Sequence, residues 1–159
     1  YRFHPLFAET APPLLDGTAT APGLSLEGGD VHVIAPGVVM VGMGERTTAQ
    51  AVEALAQQLF VTGTAHRLIA VRLPETRAFM HLDTVMTMID RDTFAVYPGA
   101  GFDVSPDADL AVSLAEALGL DKVRFLSAEQ DVRAAEREQW DDGSNFLALA
   151  PGVVVGYER

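Results

Sequence analysis

The sequence predicts an α/β domain built from repeated hairpin–helix–strand modules, and three observations carry that prediction. The string IAPGVVMVG at Ile34–Gly42 returns as LAPGVVVGY at Leu149–Tyr157, and each copy is soon followed by Glu-Arg, at Glu45-Arg46 and at Glu158-Arg159. Between the copies, short apolar runs of strand type alternate with longer stretches whose apolar residues recur at helical spacing. A unit that recurs every ~50–60 residues marks repeated modules. Such modules bury their apolar strands against one another and are often arranged radially.

The elements follow in order. Tyr1–Gly23 is rich in Pro, Ala and Thr and reads as a lead-in loop. Leu26–Ile34 and Val38–Val41 read as two strands joined by the turn residues Ala35-Pro36-Gly37, hence a hairpin. Thr48–Phe60 places Ala51, Val52, Leu55 and Leu59 on one helical face, Gly63 stops the helix, and Leu68–Leu73 closes the unit as a strand. The same order recurs: strands Phe79–Ile89 and Phe94–Tyr97 flank Asp90-Arg91-Asp92, a helix spans Asp107–Leu118 up to Gly119, and Val123–Leu126 closes. Phe146–Leu149, Ala150-Pro151-Gly152 and Val153–Val155 open a third unit. The expected organisation is one partial domain over 1–159: a lead-in at 1–24, modules at 25–73 and 79–126, and a linking helix with an opening hairpin at 128–159.

Bulk properties narrow the function classes. A length of 159 residues is about one domain. No apolar run reaches the ~18 residues of a membrane span, and Tyr1–Thr20 lacks the layout of a signal peptide, so no membrane association and a cytoplasmic location are expected. The chain does not begin with methionine, as a piece of a longer protein would not. Without cysteine, this stretch has no disulfide, thiolate metal site or thiol nucleophile. A formal net charge of −11 argues against nucleic acid as a partner, because phosphate binding needs clustered cations. An acidic surface does attract cationic small molecules.

Three polar clusters interrupt the apolar strands, each at the start of a unit: Glu27-Gly28-Gly29-Asp30, His81-Leu82-Asp83 and Asp141-Asp142-Gly143-Ser144-Asn145. In a radial assembly all three would face one centre. Charged groups at strand positions are costly to bury unless paired or used. His81 and Asp83, two apart on an expected strand, share one face, and a histidine beside a carboxylate handles protons near neutral pH. His4, His32 and His66 read as structural. Glu27 and Asp30 differ by an odd number, so a regular strand would point them to opposite sides; a bulge at Gly28-Gly29 would swing them together. No second histidine stands at metal-ligand spacing, and neither GMGER at Gly42–Arg46 nor GAG at Gly99–Gly101 is a dinucleotide fingerprint.

At EGGDV, GMGERTT, MHLDTV and EREQWDDGSNFLALAPGVVVGYER the chain resembles the bacterial arginine deiminases, over essentially its whole length. MHLDT and the REQW–DDG–APGVVV block are specific strings, whereas EGGD is shared more widely across the guanidino-modifying (pentein) superfamily. The resemblance implies a partial α/β-propeller, hydrolysis of L-arginine to L-citrulline and ammonia, and no cofactor. It matches His81 to the general acid/base, Glu27 to the glutamate beside it, and Asp83 to a carboxylate that grips the guanidinium. It matches Arg46 to an arginine that binds the substrate's α-carboxylate, with Asp30 in the supporting shell of the substrate site. A guanidinium is planar and always charged, so paired carboxylates are its natural clamp. Its resonance makes the carbon a poor electrophile, and the family uses a cysteine thiolate to form a covalent amidino intermediate. That cysteine and the second guanidinium-binding aspartate would lie outside this chain. A complementing fragment or a homo-oligomer would then cover exposed module edges. A related amidinotransferase or dimethylarginine hydrolase, and a non-catalytic binding or structural remnant, are the alternatives.

Overall fold

A computed structural model of the chain describes residues 4–7, 9–16, 22–97, 110–127, 133, 137 and 140–156. The first module comprises β1 (Val31–Ala35), β2 (Val38–Met43), α1 (Ala49–Val61) and β3 (Arg67–Arg72). β1 runs antiparallel to β2, and β3 returns parallel to β2 on its other side. The second module repeats that topology with β4 (Met86–Met88), β5 (Thr93–Val96), α2 (Leu110–Leu118) and β6 (Arg124–Leu126). A third antiparallel hairpin, β7 (Leu147–Ala150) with β8 (Val153–Val155), follows. The fold is thus mixed α/β with small sheets.

The two sequence-related hairpins fold alike. Ala35 pairs with Val38 and Ala150 with Val153, each after an irregularity at the preceding pair. Pro presets the first turn position, and the next residue lies in the left-handed region, with φ 75° at Gly37 and 72° at Gly152, where a side chain is strained.

β2 is buried on both faces, which is why it reads as a continuous apolar run. Val39 and Val41 meet Val52, Leu55 and Leu59 of α1. Val38 and Met40 point the other way, joining Ile69 and Val71 of β3 to Met86, Phe94, Leu110 and Leu114 of the second module. The main core therefore lies between the modules. Burying each such large side chain contributes roughly 1.5–3 kcal/mol. α1 starts where the Thr48 hydroxyl accepts the Ala51 N–H at 3.3 Å, and it stops before Gly63 at φ 68°.

Two expected strands are shorter than the apolar pattern suggested. The segment expected as a strand over Leu26–Ile34 enters the sheet only at Val31, after a 3-10 turn at Gly28–Asp30. The segment expected over Phe79–Ile89 contributes only Met86–Met88, after 3-10 turns at Arg77–Phe79 and Leu82–Thr84. In both places backbone donors go elsewhere than to a ladder: the Asp30 N–H donates to the Glu27 carbonyl, and the Leu82 N–H to the Asp30 carboxylate. The start expected for α2 at 107–109 and most of the linking helix expected after residue 128 lie outside the described residues, as does Glu158-Arg159.

The third hairpin is tied to the second module through Thr87, whose hydroxyl donates to the Ser144 carbonyl at 2.8 Å, and through the Gly152 N–H, which donates to the Ile89 carbonyl at 3.0 Å. Its apolar Leu147, Leu149, Val153 and Val155 remain more than half exposed. Among the described residues no helix is long and apolar enough to cross a membrane.

Candidate active site

The 3-10 turns at Gly28–Asp30 and Leu82–Thr84, which replace expected strand, lie against each other and carry the first two polar clusters. Asp30 closes the first turn and is 1% exposed. Its Oδ1 accepts the Leu82 N–H at 2.8 Å and its Oδ2 accepts the Thr47 hydroxyl at 2.6 Å. The Thr47 oxygen in turn accepts the Glu27 N–H at 3.2 Å. The parity conflict between Glu27 and Asp30 is thereby resolved by a 3-10 turn rather than a bulge. Glu27 stays partly exposed, while Asp30 is buried beneath it.

Glycine supplies the room for this packing. A Cβ at Gly42 would sit 2.6 Å from Asp30 Oδ1, and one at Gly29 would sit 2.7 Å from Asp83 Oδ2. Neither approach tolerates a side chain without displacing the carboxylate.

His81 stands in an extended conformation at the start of the second turn, where the Thr84 hydroxyl donates to its carbonyl at 2.7 Å. Its Nε2 lies 2.5 Å from Glu27 Oε2, and its Nδ1 lies 3.9 Å from Asp83 Oδ1. The imidazole is thus bracketed by two carboxylates. Arg46 donates from a guanidinium nitrogen to the same Glu27 oxygen at 3.4 Å. The His81 hydrogen bond, reinforced by Arg46, holds the Glu27 carboxyl below the usual carboxylate range.

Asp83 is in the opposite situation. Its Oδ1 is buried and has no hydrogen-bond partner among the described residues. Burial raises its carboxyl above the usual range, with Asp30 and Asp142 adding repulsion and His81 opposing it. Asp142 itself adopts the left-handed region at φ 55°, uncommon for a residue other than glycine. An orphaned buried acceptor costs about 1–3 kcal/mol and calls for a functional explanation. Burial likewise raises the Asp30 carboxyl, against its hydrogen bonds from Thr47 and Leu82.

A cavity of about 410 Å³ opens beside these groups, lined among others by Gly28, Gly29, His32, Asp83, Thr87 and Asn145. Each polar cluster contributes part of the lining, through Gly28 and Gly29, Asp83 and Asn145, whereas Glu27, His81 and Arg46 do not line it. His32, read from sequence as structural, also faces it. Burial lowers the His32 pKa to about 4, against a hydrogen bond to the Gly29 backbone, so this imidazole is neutral at neutral pH. The cavity therefore presents a carboxylate without a competing imidazolium from His32. Such a wall suits a cation with planar N–H donors, and the His81–Glu27 pair beside it can carry a proton. Among the described residues no group of three or more His, Cys, Asp or Glu could hold a metal ion.

The structure brings Glu27, Asp30, Arg46, His81 and Asp83 together. It places Asp30 behind the cavity with both oxygens engaged. Sequence reasoning missed Thr47, the Leu82 amide and the neutral His32. The one available signal for Thr47 was its place directly after Arg46 in GERT.

Comparison with known proteins agrees with these motifs. The family model described as arginine deiminase matches residues 1–159. The chain is 47% identical, over 173 aligned residues, to proteins named arginine deiminase from Mycobacterium bovis and Mycobacterium tuberculosis. All of this chain aligns, and it spans 42% of the length of those relatives. Among solved structures, DDAH from Pseudomonas aeruginosa, a cysteine-to-serine mutant complexed with citrulline, is similar with a TM-score of 0.50. That match has 17% identity and covers 80% of this chain and 39% of that one, a likeness of fold.

Proposed function

The chain belongs to the arginine deiminase family, and on that premise we propose that it is part of an amidine hydrolase converting L-arginine to L-citrulline and ammonia. The observation that carries this reading is the buried, unpartnered Asp83 oxygen beside the His81–Glu27 pair. A guanidinium would supply the missing donor. Its fixed positive charge would also relieve the repulsion that burial and the neighbouring aspartates impose on Asp83.

In the proposed reaction, a cysteine thiolate from outside this chain attacks the guanidinium carbon and forms a C–S bond. His81, protonated and held by Glu27, gives its proton to the departing nitrogen as the C–N bond breaks and ammonia leaves. The now neutral imidazole takes a proton from water, whose oxygen attacks the amidino carbon. The C–S bond then breaks, the remaining hydroxyl proton passes to solvent, the thiolate is restored and citrulline departs. Arg46, paired with Glu27, would receive the substrate's α-carboxylate. Asp30 would support the site from beneath. In the complete protein the modules at 25–73 and 79–126 and the unit opening within 128–159 would be blades of an α/β-propeller. A cytoplasmic location and a complementing segment or homo-oligomer against the exposed third hairpin belong to the same proposal. A citrulline-bound DDAH of similar fold is consistent with a small amino acid as substrate.

The test is citrulline release from arginine by the full-length polypeptide and by the 159-residue chain alone, with dimethylarginine assayed in parallel. Activity on arginine by the full-length protein only is expected. Losing the nucleophile of a covalent enzyme leaves only ~10³–10⁴-fold acceleration over water. Multiple turnovers by the chain alone would overturn the mechanism. Preference for dimethylarginine would move the assignment to the neighbouring activity.

A further inference from the structure

We infer that the Thr47 hydroxyl and the buried Asp30 carboxylate it grips form the device that sets Glu27 and His81 in register for catalysis. This assignment rests on the reading of the site just given and adds positioning residues to it.

The bonds run through one buried point. The Glu27 N–H donates to Thr47 Oγ1 at 3.2 Å, the Thr47 O–H donates to Asp30 Oδ2 at 2.6 Å, and the Leu82 N–H donates to Asp30 Oδ1 at 2.8 Å. Glu27 contributes its own amide, and Leu82 directly follows His81 in the chain. Both members of the His81–Glu27 pair are therefore at most one residue from the hub. The hub joins turns that are 52 positions apart in sequence. Both Thr47 and Asp30 are 1% exposed, so water cannot replace a lost bond. The single hydroxyl proton is committed to Asp30, and a lone pair of the same oxygen to Glu27. Serine offers the same hydroxyl with one methyl fewer.

The magnitude follows from contact distances. Exchanging the hydroxyl for a methyl turns the 2.6 Å contact into a carbon–oxygen contact of at least ~3.3 Å, displacing the turns by roughly 0.7–1 Å. A misplacement of ~1 Å costs about 100-fold in rate. Arg46 sits in a turn closed separately by the Gly44 N–H to the Thr47 carbonyl at 3.1 Å, which the exchange leaves in place.

The experiment compares wild type, Thr47→Val and Thr47→Ser in the full-length polypeptide. Two readouts are followed: kcat and KM for arginine, and the titration midpoint of the Glu27 carboxyl by carbon NMR. The valine variant should lose about 100-fold in kcat with KM changed less than about threefold. Its Glu27 midpoint should rise toward the ordinary carboxylate range as the His81 contact loosens. The serine variant should stay within about threefold of wild-type kcat and keep the low midpoint. Wild-type kcat and midpoint in a folded Thr47→Val protein would overturn the inference, as would a serine variant no better than the valine one. Should Thr47→Val not fold, Asp30→Asn carries the test, since it keeps an acceptor for Leu82 but sets an amide donor against the Thr47 hydroxyl. Full kcat in that variant would equally overturn the inference. An inactive wild type would count against the proposed function alone, because the Glu27 midpoint still decides the positioning role.

Discussion

Acidification should destabilise the fold through His32 in a way that can be isolated and measured. The folded-state pKa is about 4, against an ordinary value of 6.5. Because the folded value is the lower one, the unfolded chain takes up the proton first. Stability from this group is fully present above about pH 6.5 and drains away as the pH falls toward about 4. Each pH unit inside that window costs about 1.4 kcal/mol, so moving from about pH 7.5 to about pH 5 should cost about 2 kcal/mol through His32 alone. Asp30 and Asp83 act with the opposite sign, since burial raises their carboxyl groups, and protonating them favours the folded state at the acid end. The clean quantity is therefore the difference between wild type and His32→Gln, where glutamine keeps a donor for the Gly29 backbone. Urea unfolding at the two pH values, extrapolated to water, measures it. Wild type should lose about 2 kcal/mol more than the variant. Equal losses in the two proteins would show that His32 is not held neutral in the fold, and with it would go the description of a cavity wall free of that imidazolium.

Two further outcomes follow from the site. Gly29→Ala would drive a methyl against the Asp83 carboxylate, which lies only 2.7 Å from the added atom, so kcat/KM for arginine in the full-length polypeptide should fall about 10–100-fold. A melting temperature near wild type together with an unchanged kcat/KM would contradict the role of Asp83. Arg46→Ala should raise KM for arginine more than it lowers kcat, because a carboxylate far from the reacting carbon is held alike in the ground and transition states. A large loss of kcat at unchanged KM would instead assign Arg46 to the Glu27–His81 pair it already touches.

Much was legible in the sequence because it was local. The repeated IAPGVV and LAPGVV strings announce two hairpins, and Pro followed by a left-handed glycine folds the same way wherever it occurs. The apolar face of α1 was readable residue by residue, since Ala51, Val52, Leu55 and Leu59 are the residues it buries. The motifs EGGD, GERT and HLDT likewise identified the family and gathered five candidate site residues that the fold does bring together. Two strands were overextended for an equally definite reason. Apolar periodicity reports which side chains are buried, but it does not report where a backbone donor finds its acceptor. Between Gly28 and Thr84 that question is answered by Asp30, whose carboxylate captures the Leu82 amide from 52 positions away and bends both segments into turns. The same non-local packing orphans an Asp83 oxygen, makes Thr47 a buried hub and keeps His32 neutral. Each of these depends on how much water and which partners surround a polar atom, and only the folded chain sets that.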